Sequence, residues 1–145
     1  MTKNKTLSIA ESCTGGLIAH RVTNISGSSA YFLNSIVSYS DELKSASLGV
    51  KRSTLRQYGA VSQAVAEEMA LSVMKQSGSD FGLSVTGICG PSGASQQKPV
   101  GLAWFALAEK SQKITTFEKI FFGDRAMLKE KMASFALDIL RRRLL

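Results

Sequence analysis

The chain is short of the residues that staple or break a fold. Its 145 residues include two cysteines, Cys13 and Cys89, two prolines, Pro91 and Pro99, and one histidine, His20. Two thiols cannot make a disulfide framework, and with one histidine they fall short of a zinc site, so no metal is expected. The cysteines read as small buried hydrophobes in a reducing compartment, although each stands beside a glycine-rich segment. No apolar run approaches the ~20 residues of a membrane-spanning helix. The basic start, Met1 to Lys5, has no apolar stretch behind it, which argues against a secretory leader. A cytoplasmic protein without membrane association is the expectation. Repeats, low-complexity tracts and linkers are absent too, so residues 1–145 read as a single domain.

What is present is an ordinary globular balance: 44% hydrophobic and 20% charged residues, enough to bury a core without staples. The net charge is +7, and residues 109–145 carry +4 of it, from nine Lys/Arg against five Asp/Glu. Such a balance concentrates anionic ligands, nucleic acid and mononucleotide alike. Arg141, Arg142 and Arg143 are read as complementing the dipole at a helix C-terminus. No DNA-binding motif is present and the aromatics lie mostly in apolar strands, so specific nucleic-acid binding is not expected.

Periodicity divides the chain into alternating elements. Thr6–Glu11 reads as a strand, Ser12–Gly16 as a polar turn and Leu17–Asn24 as a helix. A loop at Gly27–Ser29 precedes a strand over Tyr31–Ser40. Short helices follow at Asp41–Leu48, capped by Asp41, and at Ser53–Tyr58. Ser62–Ser77 is the clearest internal helix, with Val65, Met69 and Val73 on one face, Ser62 as its cap and Gly78 as its stop. Phe81–Val85 reads as a strand and Thr86–Lys98 as a loop. Val100–Ala108 and Ile114–Phe122 form a hairpin. Asp124 caps a last helix reaching about Arg143, with a seam of Leu128, Met132, Phe135, Ile139 and Leu140. The pattern predicts an α/β fold: a mixed sheet with helices packed on its faces. Ligands in such folds collect where strand C-termini enter polar loops, which singles out Ser12–Gly16 and Thr86–Gly93.

Four segments could carry chemistry. In Ala10–Gly16 a strand enters a tight turn before a helix. Gly15 and Gly16 allow close backbone approach, and Ser12 is a nucleophile, a ligand contact or a helix cap. In Ser38–Lys44, Tyr39 ends a strand and Lys44 follows. His20 reads as a packed or surface residue, which leaves Lys44 and Tyr39 as possible activators of a serine. Lys44 serves as a base only if its pKa is lowered, and by itself reads as a surface lysine. Val85–Gly93 offers a glycine-rich loop able to form an anion nest, with Thr86 as a further donor. Arg125, in the first turn of the last helix, opposes the helix dipole; an anionic ligand, or an ion pair with Asp124 or Glu11, would account for it.

Taken in order, Ala10-Glu-Ser-Cys-Thr-Gly-Gly-Leu17, Gly27-Ser-Ser29, Tyr39-Ser40 with Lys44, Leu48-Gly-Val50, Gly59-Ala-Val-Ser62 with Met69-Ala70, Thr86-Gly-Ile88 with Gly90-Pro91, Lys98-Pro-Val-Gly101 and Phe122-Gly-Asp-Arg125 resemble the C-terminal domain of the CinA family, the nicotinamide-nucleotide amidohydrolases. The resemblance runs from about Thr6 to the end. It implies hydrolysis of nicotinamide mononucleotide to nicotinate mononucleotide and ammonia, with neither a metal nor an organic cofactor. It implies Ser12 as the essential serine, with Tyr39, Lys44 and Thr86 as catalytic partners. Gly15, Gly16, Ser28, Ser29, Gly87, Gly90 and Arg125 would be substrate contacts. The ligand is then a pyridine mononucleotide, and a homodimer or higher homo-oligomer is expected. The sequence departs from the family at Asn34-Ser35, where relatives often carry two glycines, and in Pro91–Gln97, which is less glycine-rich. The competing reading is a nucleotide-binding or competence-associated interaction module without turnover.

Overall fold

The computed structural model describes residues 4–145. Five strands form one sheet in the order β2-β1-β3-β4-β5. They are β1 (Leu7–Glu11), β2 (Phe32–Val37), β3 (Phe81–Gly87), β4 (Leu102–Glu109) and β5 (Ile114–Ile120). The first three run parallel, and β4 and β5 join antiparallel as a hairpin. The helices are α1 (Leu17–Thr23), α2 (Asp41–Leu48), α3 (Arg52–Tyr58), α4 (Gln63–Ser77) and α5 (Arg125–Leu144). The expected mixed sheet covered by helices is therefore the fold.

Alternation along the central strands assigns the two faces. Leu7, Ile9, Phe81, Leu83, Val85, Ala103, Phe105 and Leu107 meet Ile18 and Val22 of α1 and Leu128, Met132, Ala136 and Ile139 of α5 in the larger core. Phe105, Phe117 and Phe121 surround the Phe135 ring edge-on, at centroid distances of 4.9 to 6.1 Å. The opposite face is lined with small residues. Gly82, Ser84, Ala106 and Ala108 let α4 lie close, and Ser84 Oγ donates to the Ala66 carbonyl at 2.6 Å. A Cβ at Gly82 would stand 2.1 Å from the Ala70 carbonyl oxygen, so only glycine admits the helix at this distance.

Several sequence expectations shift. The second strand stops at Val37, leaving Tyr39 in the loop beyond it. Ser40 rather than Asp41 caps α2: its hydroxyl accepts from Leu43 N–H, and Asp41 is the first helical residue. β3 runs on through Thr86 and Gly87, because both pair with β4, at Trp104 and Ala103. A 3-10 turn, Ser28–Ala30, occupies part of the expected Gly27–Ser29 loop. The caps at Ser62 and Asp124, and the Gly78 stop, stand where the sequence puts them.

Candidate active site

Strand order reverses between β1 and β3: from β1 the chain goes to β2 on one side, then returns to β3 on the other. At this switch point two carboxyl ends open side by side, the place where open parallel sheets bind ligands. Glu11 pairs with Val85, so Ser12 and Thr86 are the next residues on adjoining strands. A cleft of about 350 Å³ opens there, lined by Ser12, Tyr39, Lys44, Thr86, the loop from Gly87 to Gly93, and Arg125.

Lys44 is the residue the sequence most misplaced. It is not a surface lysine: it is 1% exposed, and its Nζ donates to Ser12 Oγ at 3.0 Å and to the Ser38 carbonyl at 2.8 Å. The position follows from α2, whose first turn, set by Ser40, lets residue 44 point back under the sheet edge. Burial disfavours the ammonium and lowers the pKa of Lys44 below its ordinary value, with Asp41 and Cys13 pulling the other way. A buried lysine shifted in this direction and bonded to a serine hydroxyl has the arrangement of a serine–lysine pair.

Glu11 was missed as a site residue. It is fully buried, and its carboxylate accepts from Thr14 Oγ1 at 2.6 Å and from the N–H groups of Gly16, Ile18 and Ala19 at 3.1, 3.1 and 2.8 Å. The start of α1, expected to be free for an anion, is therefore filled by the protein's own carboxylate. Gly15 and Gly16 serve this turn through positive φ angles of 60° and 99°, and neither lines the cleft. Their conformation holds the turn that presents Ser12.

Thr86 also differs from expectation. Its hydroxyl donates to the Ala60 carbonyl at 2.9 Å, so the proton expected for a ligand is already used and the oxygen offers lone pairs to the cleft. Tyr39 is 56% exposed at the rim, where its hydroxyl accepts from Arg125 Nη2 at 2.7 Å. Arg125 Nη1 donates to the Gly90 carbonyl at 2.6 Å. Neither Asp124 nor Glu11 pairs with it; Asp124 caps α5 through Met127 N–H. Lys129, one turn further along α5, lies close enough to Gly15 that a Cβ there would be 3.6 Å from its Nζ. Arg125 and Lys129 thus put two cations on the helix face beside the cleft. The i, i+4 spacing was legible in the sequence, but Lys129 was not singled out.

Both cysteines are free and buried, as expected, yet both also line the cleft floor. A hydrogen bond from Cys13 is the main cause that brings the Cys89 thiol down to about 7, with Arg125 and Lys129 adding to it, while the Cys13 thiol is pushed well up. Ser28 and Ser29 are not brought to the cleft. They precede β2, at the opposite end of the parallel strands. His20 is on the exposed face of α1 beside Asn24, away from Ser12. Among the described residues no cluster of His, Cys, Asp or Glu is suited to a metal ion, and no helix is long and apolar enough to cross a membrane.

The sequence matches a known family: the CinA C-terminal domain model covers residues 1–144. The chain belongs to the CinA C-terminal domain family. A CinA-like protein of Syntrophomonas wolfei is 51% identical over 140 residues, which is 97% of this chain and 33% of that protein. The chain spans about a third of the length of such longer relatives. A protein named nicotinamide-nucleotide amidohydrolase PncC, from Enterobacter agglomerans, is 50% identical over 129 residues, covering 89% of this chain and 79% of that one. The crystal structure of the competence/damage inducible protein CihA from Agrobacterium tumefaciens superposes with a TM-score of 0.94 at 38% identity, over 96% of this chain and 85% of that chain.

Proposed function

We propose that this domain hydrolyses the carboxamide of nicotinamide mononucleotide, giving nicotinate mononucleotide and ammonia, with Ser12 as nucleophile and Lys44 as general base. The observation that carries the reading is the 3.0 Å bond between buried Lys44 Nζ and Ser12 Oγ. The similarity to the PncC protein supplies the substrate class. In this reading neutral Lys44 takes the Ser12 proton as Oγ attacks the carboxamide carbon. The same amine returns the proton to the departing nitrogen as the C–N bond breaks, and ammonia leaves. Water, activated by Lys44, then cleaves the acyl ester and frees Ser12. The Ser38 carbonyl orients the amine throughout.

The remaining roles follow from hydrogen-bond chemistry. Thr86, its own proton committed to Ala60, accepts an N–H of the carboxamide and so selects amide over carboxylate. Backbone N–H groups next to Ser12 and Gly87 stabilise the oxyanion. Arg125 and Lys129 hold the phosphate, helped by the Gly90–Gly93 loop. Tyr39, oriented by Arg125, offers its ring to the pyridinium, a cation that aromatic faces attract.

The test is ammonia release from nicotinamide mononucleotide, with nicotinamide riboside alongside. Release from the mononucleotide, with kcat/KM lower by about tenfold or more for the riboside, supports the reading, since one charge-assisted phosphate contact is worth that much. A folded protein that binds the mononucleotide and releases no ammonia contradicts it and favours the binding-module reading.

A further inference from the structure

Cys13, Cys89 and Met132 bring three sulfur atoms together beneath the cleft, and the proposed hydrolysis uses none of them. Met132 Sδ lies 3.6 Å from Cys13 Sγ and 3.8 Å from Cys89 Sγ, and Cys89 Sγ also donates to the Cys13 carbonyl at 3.7 Å. The three come from separate elements: the turn after β1, the loop after β3, and the middle of α5. Met132 is fully buried, while both cysteines reach the floor of the cleft, which gives an ion a way in.

We propose that these three sulfurs form a binding site for a soft monovalent cation, copper(I) in particular. The dimensions fit. A trigonal site with metal–sulfur bonds of ~2.3 Å has edges of about 4 Å, and the two separations from Met132 Sδ, 3.6 and 3.8 Å, come close to that. The donors fit as well. Thiolate and thioether together select copper(I) over harder divalent ions, and zinc takes four ligands, rarely a thioether. Binding makes two copper–thiolate bonds and one copper–thioether bond, and releases to solvent the protons the thiols still carry. Arg125 and Lys129 balance the resulting negative charge from above.

The experiment is an anaerobic titration of the reduced chain against copper(I) held by a chromophoric chelator, with X-ray absorption on the product. One copper per chain is expected, with three sulfur neighbours at about 2.2–2.3 Å. Cys89→Ala should abolish uptake. Met132→Leu conserves core volume, should leave the melting temperature nearly unchanged, and should weaken uptake about tenfold or more. Failure of the folded wild type to take copper from the chelator overturns the site. So does uptake that neither variant alters, or uptake with nitrogen and oxygen neighbours. Copper uptake is read without any turnover, so a chain that binds copper but releases no ammonia would fail the hydrolysis reading and keep this one.

Discussion

At the scale of single residues, the proposed chemistry depends most on Lys44. The amine acts as a base only when neutral, and burial lowers its pKa from 10.5. The predicted sign follows: kcat/KM rises with pH as Lys44 loses its proton and levels off above a midpoint below 10.5. A profile that falls through that range, or an acid limb unchanged in a variant lacking Lys44, would contradict the assignment. In the proposed function Arg125 acts on binding. Arg125→Ala should raise KM for the mononucleotide about 10–100-fold and change kcat far less, because it removes two planar, charge-assisted contacts at the rim. Steady-state kinetics on the purified variant separates the two constants. Sequence spacing could nominate Lys44 but could not bury it. Its burial arises from how α2 is set against the β1–β3 switch point, a tertiary fact that periodicity does not carry. Thr86 shows the same limit: its type was legible, but the carbonyl that takes its proton, Ala60, is 26 positions away.

At the scale of elements, the turn after β1 depends on a carboxylate. Glu11→Ala would leave three backbone N–H groups and the Thr14 hydroxyl without their acceptor in a buried place. The expected loss is about 3 kcal/mol or more, with Glu11→Gln in between, read from urea unfolding. A change under 1 kcal/mol, on the order of an exposed substitution, would show that water replaces the carboxylate. Gly82→Ala tests the contact between α4 and the sheet. The added methyl meets the Ala70 carbonyl oxygen, so the helix must move, at a cost of about 1–3 kcal/mol. Elements with strong periodicity or clear caps, α4 and α5 above all, were readable from the sequence. Strand ends were not. Thr86 and Gly87 look like loop residues by type, and only pairing with β4 makes them strand. The free helix N-terminus expected at Gly16 was misjudged for a related reason: the residue that fills it lies five positions earlier and reads as part of a strand.

At the scale of the whole molecule, the sheet supplies position and the charge supplies attraction. Parallel strands β1 and β3 deliver Ser12 and Thr86, α2 delivers Lys44, and α5 delivers Arg125 and Lys129. Four segments distant in sequence therefore meet at one edge. Under the proposed function, the net charge of +7 attracts the phosphorylated substrate. KM for the mononucleotide should accordingly rise between low and high salt, with little change for the uncharged-tail riboside. The basic run at the end of α5 has a structural use instead: Arg141 and Arg142 pair with Asp138, and Arg143 pairs with Glu109. The most direct test of the central claim is ammonia release from nicotinamide mononucleotide by the wild type and by Ser12→Ala. The account predicts steady release by the wild type and a loss of about 10³-fold or more in Ser12→Ala, which should stay folded and still be stabilised by the mononucleotide. Release by Ser12→Ala at the wild-type rate would contradict it.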